Sequence, residues 1–309
     1  MCLSPLLLLA VLAAPPTAPP APPAQKAVLV TGASSGIGRK ITERLAADGY
    51  FVYAGARKDS DIIALSAIPN VKGVRLDVTK PAEIAAAVQT VTEAGRGLYG
   101  LVNNAGVLVL GPLAKAEDTD FQYAMEVNAL GVLRVTRAFL PLLQAGKGRV
   151  VNISSVSGLS GSANFGIYAM SKHAVEAFTD SLAIEMASGG VQVIAVEPGN
   201  FRSDLVTNLV RHLKDSPAPD QELLKKLEKS THSQAKDPED VALVVKRALA
   251  DEKPSRRYMV TPNKEQADVF IKRQVEKLIQ TNENQPFALS RDQLVALIDS
   301  VLAESKAGR

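Results

Sequence analysis

An apolar run that leads directly into closely spaced glycines constrains this chain more than any other feature. Residues 27–31 read AVLVT, and residues 31–38 read TGASSGIG before a segment with helical periodicity. Glycines let the backbone turn tightly, and the following helix offers free N–H groups and a positive dipole end to an anion. The order strand, glycines, helix predicts a dinucleotide pyrophosphate site; no Gly-Lys-Ser/Thr ends the motif, which argues against a P-loop. The candidate phosphate-binding residues are Gly32, Ser34, Ser35, Gly36, Ile37 and Gly38.

Short apolar runs alternate with amphipathic segments along most of the remaining chain. Further strands are predicted within residues 50–55, 71–78, 97–106, 149–154, 191–199 and 256–261. Nearly continuous apolar strands separated by helices indicate a parallel sheet covered on both faces, and right-handed crossovers make it doubly wound. We therefore predict an α/β fold of the Rossmann type with one catalytic domain over residues 25–262. Residues 263–309 are predicted to be a helical appendage, with Ser290 as the N-cap of the last helix.

The first 24 residues differ from this pattern. An apolar run over residues 6–14 precedes six prolines in residues 15–23. The run has the length of a signal-peptide core and is too short to span a bilayer as a helix. It lacks a preceding Lys or Arg, and no A-x-A sequence appears before Gln25. Four interpretations of these 24 residues therefore stay open: export, membrane contact through residues 1–14, a disordered extension and a misassigned start.

Composition excludes several classes of protein. The net charge of +3 and short basic doublets, such as Lys225-Lys226, argue against a nucleic-acid-binding surface. The single cysteine cannot form an internal disulfide, and the three scattered histidines predict no metal site. Residues 200–236 are polar, contain DSPAPD, and are predicted to be a mobile segment.

The end of the second predicted strand bears on which dinucleotide binds. An acidic residue commonly grips the ribose diol of NAD at this place, but here the sequence has Ala56 followed by Arg57 and Lys58. A guanidinium pairs with a 2′-phosphate, which a carboxylate would repel. The sequence therefore predicts NADP(H) over NAD(H), with Arg57 as the phosphate partner and Arg39 as a possible second one.

Three further side chains form a candidate catalytic set. Ser155 follows the fifth predicted strand, and Tyr168 and Lys172 lie four positions apart on a predicted helix. Residues i and i+4 share a helix face, so both side chains can point toward the strand ends where such sheets build their sites. A free phenol has a pKa of about 10, and we expect the ammonium of Lys172 to lower it so that Tyr168 exchanges protons with the substrate. Ser155 is predicted to bind the substrate oxygen.

These motifs together resemble the short-chain dehydrogenase/reductase family. The resemblance covers residues 27–205 and includes TGASSGIG, NNAG at 103–106, Asn128, NISS, Tyr168-Ala-Met-Ser-Lys172 and Pro198-Gly199. It implies that Asn128 supports a proton relay at a helix irregularity and that Lys172 also holds the nicotinamide ribose. It further implies that Ser203 supplies a hydroxyl for the nicotinamide amide. The other cofactor contacts that it implies are Asp77, Val78, Asn104, Ala105, Gly106, Pro198 and Gly199.

The resemblance is closest to the branch of retinol, hydroxysteroid and 3-hydroxybutyrate dehydrogenases. The predicted function is NADP(H)-dependent interconversion of a secondary alcohol and a ketone or aldehyde, with Tyr168 as general acid and base. The alternatives are an NAD-dependent alcohol or hydroxysteroid-type dehydrogenase and a non-catalytic Rossmann protein that senses NADP(H). We expect a small-molecule substrate, a homodimer or homotetramer, and the cytoplasm as the compartment. Substrate identity and reaction direction are not encoded in these motifs.

Overall fold

The computed structural model describes residues 25–214, 221–222, 224–225 and 236–307. The predicted N-terminal extension and all of DSPAPD lie outside the described residues. The strands are β1 (Ala27–Val30), β2 (Phe51–Ala56), β3 (Val71–Arg75), β4 (Gly100–Asn103), β5 (Arg149–Ile153), β6 (Gln192–Pro198) and β7 (Arg257–Val260). The helices are α1 (Gly36–Ala47), α2 (Asp59–Ser66), α3 (Pro81–Glu93), α4 (Asp118–Met125), α5 (Gly131–Ala145), α6 (Gly166–Glu185), α7 (Leu205–Lys214), α8 (Glu239–Ala250), α9 (Lys264–Glu283) and α10 (Arg291–Ala307).

All seven strands join one parallel sheet in the order β3-β2-β1-β4-β5-β6-β7. The order reverses between β1 and β4, and a crevice opens at the carboxyl ends of the strands at such a point. The doubly wound α/β fold predicted from the sequence is confirmed.

Two apolar layers cover the two faces of the sheet. On one face, Ile41 and Leu45 of α1 and Val245 of α8 pack on the strands. On the other face, Phe139 of α5 and Leu182 of α6 do the same, and α3 also packs there. Burying both faces explains why the strands are apolar almost throughout, because no strand face is left to carry polar side chains.

The segment after β6 differs from its sequence-based description. Residues 205–214 form helix α7, and Leu209 is buried against Leu108 and Tyr168. The polar composition of the 200–236 segment concealed this helix because only one stripe of α7 is apolar.

The last two helices lie on the surface. Among the described residues, α9 buries no side chain. Ser290 caps α10 as predicted, since its hydroxyl accepts the Gln293 N–H at 3.3 Å and its own N–H is bound by the Gln293 side chain at 2.8 Å. Within the described ranges, the helices are each too short or too polar to cross a membrane.

Candidate active site

One groove runs along the carboxyl ends of the strands. It receives almost every residue that the sequence predicted for the site. The exceptions are Asn128, which lies behind the groove wall, and Arg39, which lies on α1 outside the lining. The predicted residues that line the groove are Gly32, Ser34, Ser35, Gly36, Ile37, Gly38, Arg57, Asp77, Val78, Asn104, Ala105, Gly106, Ser155, Tyr168, Lys172, Pro198, Gly199 and Ser203. The sequence did not indicate the apolar wall formed by Leu76, Val107, Val127, Ile153, Phe201 and Leu205.

The glycine turn is built for close approach of backbone to a ligand. Gly32 and Gly36 have φ values of +64° and +54°, which residues other than glycine rarely adopt. A Cβ on Gly38 would lie 2.3 Å from the Asn104 Nδ2 and 2.3 Å from the Gly32 oxygen. Asn104 holds the turn from the other side, because its Nδ2 donates to the carbonyls of Thr31 at 2.9 Å and Gly32 at 3.0 Å.

The start of α1 fits a pyrophosphate. Its first turn carries no acidic side chain within this fully described helix, and the N-cap Ser35 makes no side-chain capping hydrogen bond. The free N–H groups and the positive dipole end therefore face the groove without a competing carboxylate. Ser203 borders the same turn, since a Cβ on Gly36 would come within 3.4 Å of the Ser203 Cβ.

The far end of the groove is open and positively charged. Ala56 ends β2 opposite Arg75 of β3, and the exposed Arg57 follows it. The Arg57 carbonyl accepts a hydrogen bond from the Arg75 guanidinium at 2.5 Å. Among the described residues, the Arg57 guanidinium has no ion-pair partner, whereas Arg39 is paired with Glu43 at 2.6 Å within α1. Arg57 is therefore the better placed of the two predicted cations.

Asp77 lies beside this charged end. Burial alone would raise its pKa, but hydrogen bonds from Thr79 and the nearby positive charges of Arg57 and Lys80 lower the pKa below its usual value. Its Oδ1 accepts from the Thr79 N–H at 2.9 Å and from the Thr79 hydroxyl at 2.7 Å. Asp77 is therefore an oriented, ionised hydrogen-bond acceptor at neutral pH.

The opposite end of the groove is closed and holds the candidate catalytic set. Ser155 begins a short 3-10 turn at Val156–Gly158, and its Oγ accepts the Ser157 N–H at 3.1 Å. Tyr168 and Lys172 lie one turn apart on α6 and are only 8 % and 5 % exposed. The Lys172 Nζ donates to the Ile153 carbonyl at 2.9 Å and lies 5.7 Å from the centre of the Tyr168 ring.

The charge state of Tyr168 differs from the sequence-based expectation. Burial raises the pKa of Tyr168 to about 12, although a hydrogen bond with Ser155 opposes the rise. Burial also lowers the pKa of Lys172 to about 8, while the negative charge of Glu176 acts in the opposite sense. The expected lowering of the phenol pKa by Lys172 is thus wrong for the protein without ligand, because desolvation dominates the pKa of Tyr168 and the side chain that opposes it is Ser155.

Asn128 lies in the helix irregularity that the resemblance implied. A π-helical turn over Glu126–Leu130 separates α4 from α5. The Asn128 Oδ1 accepts the Val107 N–H at 2.7 Å, and its Nδ2 donates to the Val107 carbonyl and the Ser171 hydroxyl, both at 2.9 Å. Its side chain therefore fastens the groove wall to α6, and its role in a proton relay stays a prediction.

Helix α9 supplies a contact that the sequence did not indicate. The Gln266 Oε1 accepts the Asn200 N–H at 2.9 Å, and a Cβ on Gly199 would lie 1.9 Å from this oxygen. On the other side of the groove mouth, Gln274 donates to the Leu159 carbonyl at 2.9 Å. Helix α9 thus joins the two loops that follow β5 and β6, and no motif marks glutamines for such a role.

Similarity to known proteins agrees with this geometry. The uncharacterized oxidoreductase YbbO of Escherichia coli K12 is 34 % identical over 239 residues, which are 77 % of this chain and 86 % of that protein. Mouse retinol dehydrogenase 5 is 46 % identical over 187 residues, 59 % of this chain and 58 % of that protein. Bovine mitochondrial D-beta-hydroxybutyrate dehydrogenase is 40 % identical over 186 residues, 57 % of this chain and 54 % of that protein. This chain therefore matches little more than half the length of the latter two proteins.

Solved structures and a family model point the same way. A short chain dehydrogenase/reductase from Burkholderia phymatum in complex with NAD superposes with a TM-score of 0.73 at 26 % identity, covering 86 % of this chain and 98 % of that one. An actinorhodin polyketide ketoreductase variant with NADPH superposes with a TM-score of 0.65 at 31 % identity, covering 77 % of this chain and 96 % of that one. Residues 26–214 match the model of the short chain dehydrogenase family. The chain is thus an enzyme of the short-chain dehydrogenase/reductase family, as its motifs predicted.

Proposed function

We propose that this enzyme interconverts a secondary alcohol and a ketone or aldehyde with NADP(H), and that Tyr168 exchanges the proton. The observation that carries the proposal is the closed end of the groove, where Tyr168, Lys172 and Ser155 meet beyond the glycine turn. Such a site excludes water and presents a hydroxyl donor and a cation to an oxygen that develops negative charge.

The buried phenol is suited to carbonyl reduction. A pKa of about 12 keeps Tyr168 protonated at neutral pH, so it is a proton donor for a developing alkoxide. The Ser155 hydroxyl binds and orients the same oxygen. When bound, the nicotinamide supplies or accepts the hydride. After Tyr168 has given up its proton, the ammonium of Lys172 stabilises the phenolate, so the pair also serves the reverse reaction.

Residues of the glycine turn, Lys172 and Ser203 are suited to hold the dinucleotide. The free first-turn N–H groups of α1 would bind the pyrophosphate, and Ser203 would contact the nicotinamide end. Asp77 is an ionised acceptor for the adenine, and Arg57 is an exposed cation for a 2′-phosphate. The absence of an acid at Ala56 supports NADP(H) over NAD(H).

The two alternatives predict different behaviour. Relatives whose names indicate retinol or D-beta-hydroxybutyrate dehydrogenase, and a similar structure with NAD, make an NAD-dependent enzyme the second candidate. The complete set of Ser155, Tyr168 and Lys172 argues against a protein that only senses the nucleotide. An NAD-dependent enzyme would also be expected to carry a carboxylate where Ala56 stands.

The test is a panel of aldehydes and ketones assayed with NADPH and with NADH. We expect a higher kcat/KM with NADPH, and we expect Tyr168→Phe to lose most turnover while it still binds NADPH in a fluorescence titration. A clear preference for NADH contradicts the assignment of Arg57. Unchanged kcat in Tyr168→Phe contradicts the mechanism, and tight NADPH binding without turnover of any carbonyl favours the sensor.

We further propose a cytoplasmic homo-oligomer. NADPH is an intracellular reductant, and a single cysteine is consistent with a reducing compartment. Exposed apolar side chains on the helical layer around α5 and α6, namely Leu133, Met170 and Ile184, are suited to subunit contact. Light scattering after gel filtration tests the dimer or tetramer, and fractionation of full-length protein against a form starting at residue 25 tests membrane contact through residues 1–14.

A further inference from the structure

Two buried carboxyl groups lie behind the closed end of the groove. Glu176 follows Lys172 by one turn on α6, and Glu197 directly precedes Pro198, the last residue of β6. Their side chains are only 9 % and 3 % exposed. Buried carboxylates are costly unless they are paired and hydrogen-bonded, so their partners indicate what they do.

Both carboxyl groups share one cation. The Nε of Arg257, on β7, lies 3.1 Å from the Glu176 Oε2 and 3.4 Å from the Glu197 Oε1. The same guanidinium also contacts Asp180, one further turn along α6, at 2.8 Å. Three acidic side chains thus surround a single arginine. Among the described residues, the Glu176 Oε1 and the Glu197 Oε1 have no hydrogen-bond partner.

The Glu176 side of this cluster adjoins the backbone of Lys172. A Cβ on Gly158 would lie 3.0 Å from the Lys172 carbonyl, 3.1 Å from the Glu176 Cγ and 2.8 Å from the Ser154 Oγ. Gly158 therefore lets the stem of Glu176 pack between the turn after Ser155 and the backbone of Lys172. The residue at 158 must be small for Glu176 to occupy this place.

Glu176 lies four residues after Lys172 on α6, so the two side chains share a helix face, and both residues are buried. A carboxylate one turn away favours the protonated form of a buried lysine, because water screens their attraction little there.

We propose that Glu176 is a positioning residue whose carboxylate keeps the ammonium charge on Lys172, and that Arg257 holds that carboxylate in place. The proposal rests on the proposed function only for its effect on turnover, because the titration of Lys172 can be observed without turnover. It assigns Glu176 a part in setting the pH range over which the phenol and ammonium pair works.

Other titratable groups around Lys172 are neutral or engaged with partners of their own. Tyr168 on α6 stays protonated near neutral pH, and Glu197 of β6 faces Arg257. Glu126 of the π-helical turn is paired with Arg134 at 2.6 Å. Burial lowers the pKa of Lys172, and the negative charge of Glu176 raises it.

The experiment compares Glu176→Gln with Asp180→Asn, because both remove a carboxylate from Arg257 but Asp180 is 46 % exposed. Lysine Nζ and Cε resonances of the labelled, ligand-free full chain report the titration of Lys172, assigned with Lys172→Arg. We expect the titration to move to lower pH by about 0.5–1 unit in Glu176→Gln and much less in Asp180→Asn. The high-pH decline of reductive kcat should move in the same direction.

A shift in Asp180→Asn as large as in Glu176→Gln, or no shift in either, overturns the proposal. Glu176→Asp retains the charge and should titrate like the wild type; a clear shift there overturns the proposal even where Glu176→Gln does not fold. If the lysine resonance shifts as expected but the wild type reduces no carbonyl, the proposal on Glu176 is supported and the proposed function is wrong.

Discussion

The two ends of the groove differ in whether their ionisable side chains are exposed or buried. At the open end, Arg57 is exposed to solvent, and the carboxylate of Asp77 stays ionised beside it. At the closed end, Tyr168 and Lys172 are almost fully buried, and both have pKa values moved toward their neutral forms. Residue identity therefore sets the chemistry of the open end, whereas burial sets that of the closed end.

This difference has an energetic consequence. Water and salt screen ion pairs between exposed side chains, so each such pair contributes on the order of 1 kcal/mol or less to stability. Polar groups in a closed site interact through a lower effective dielectric constant and cost more when they lose a partner. Substitutions at the closed end should therefore have larger effects than substitutions at the open end.

The largest effect is expected for Ser155→Ala. Loss of the hydroxyl removes a donor to the substrate oxygen and a hydrogen bond with Tyr168, so kcat should fall about 100- to 1000-fold while NADPH affinity is retained. The matched control is Ser154→Ala, because the Ser154 Oγ is buried without a hydrogen-bond partner among the described residues. Steady-state kinetics of both variants measure the difference, and equal losses would contradict the assignment of Ser155.

A second large effect is expected for the pH dependence of protein stability, through the buried Glu197 behind the closed end. Burial, and then the charge of Glu176, raises the pKa of Glu197 from its ordinary 4.5 to about 7. Between these values the folded state holds more protons than the unfolded state, so the contribution of this group to stability is present below pH 4.5 and is lost as pH rises through 7.

The Glu197→Gln variant cannot ionise at this position, so it should not lose this stability as the pH rises through 7. At pH 8 its free energy of unfolding should exceed that of the wild type by up to about 3 kcal/mol, and at pH 4.5 the two should agree. Urea unfolding at several pH values measures both. A difference that does not change with pH would contradict the buried, protonatable state of Glu197.

At the open end, Arg57→Ala should change cofactor preference. The ratio of kcat/KM for NADPH to that for NADH is expected to fall about 10- to 100-fold, because a charge-assisted hydrogen bond to a phosphate is lost. The adjacent, exposed Lys58→Ala is the control and should change the ratio much less. An unchanged ratio in Arg57→Ala would remove the basis for the predicted preference.

The smallest effect is expected for Arg39→Ala. Its guanidinium is engaged with Glu43 on the surface of α1, so the NADPH preference should change by less than about threefold. A loss comparable to that of Arg57→Ala would show that Arg39 leaves Glu43 when the dinucleotide binds. The same kinetic ratio serves as the measurement.

Much of the fold and the outline of the site could be predicted from local patterns. The apolar strands give a doubly wound sheet, and a turn such as TGASSGIG needs glycine wherever φ is positive or a Cβ would collide with Asn104. Residues at the carboxyl ends of parallel strands must meet at one edge, which places Ser155 near α6. Helix α7 was missed because the polar segment around it resembles a loop, although α7 itself carries an apolar stripe.

The family, the sheet and the residue types along the groove follow from the amino-acid sequence, because they depend on periodicity and on spacing along the chain. The direction of the pKa changes of Tyr168 and Lys172, and the sharing of Arg257 by Glu176 and Glu197, depend on tertiary packing. Desolvation and ion pairing depend on how many atoms surround a group from distant segments. The number of surrounding atoms is set by the packing of α6 on β5, β6 and β7. It cannot be derived from the spacing of residues along one helix.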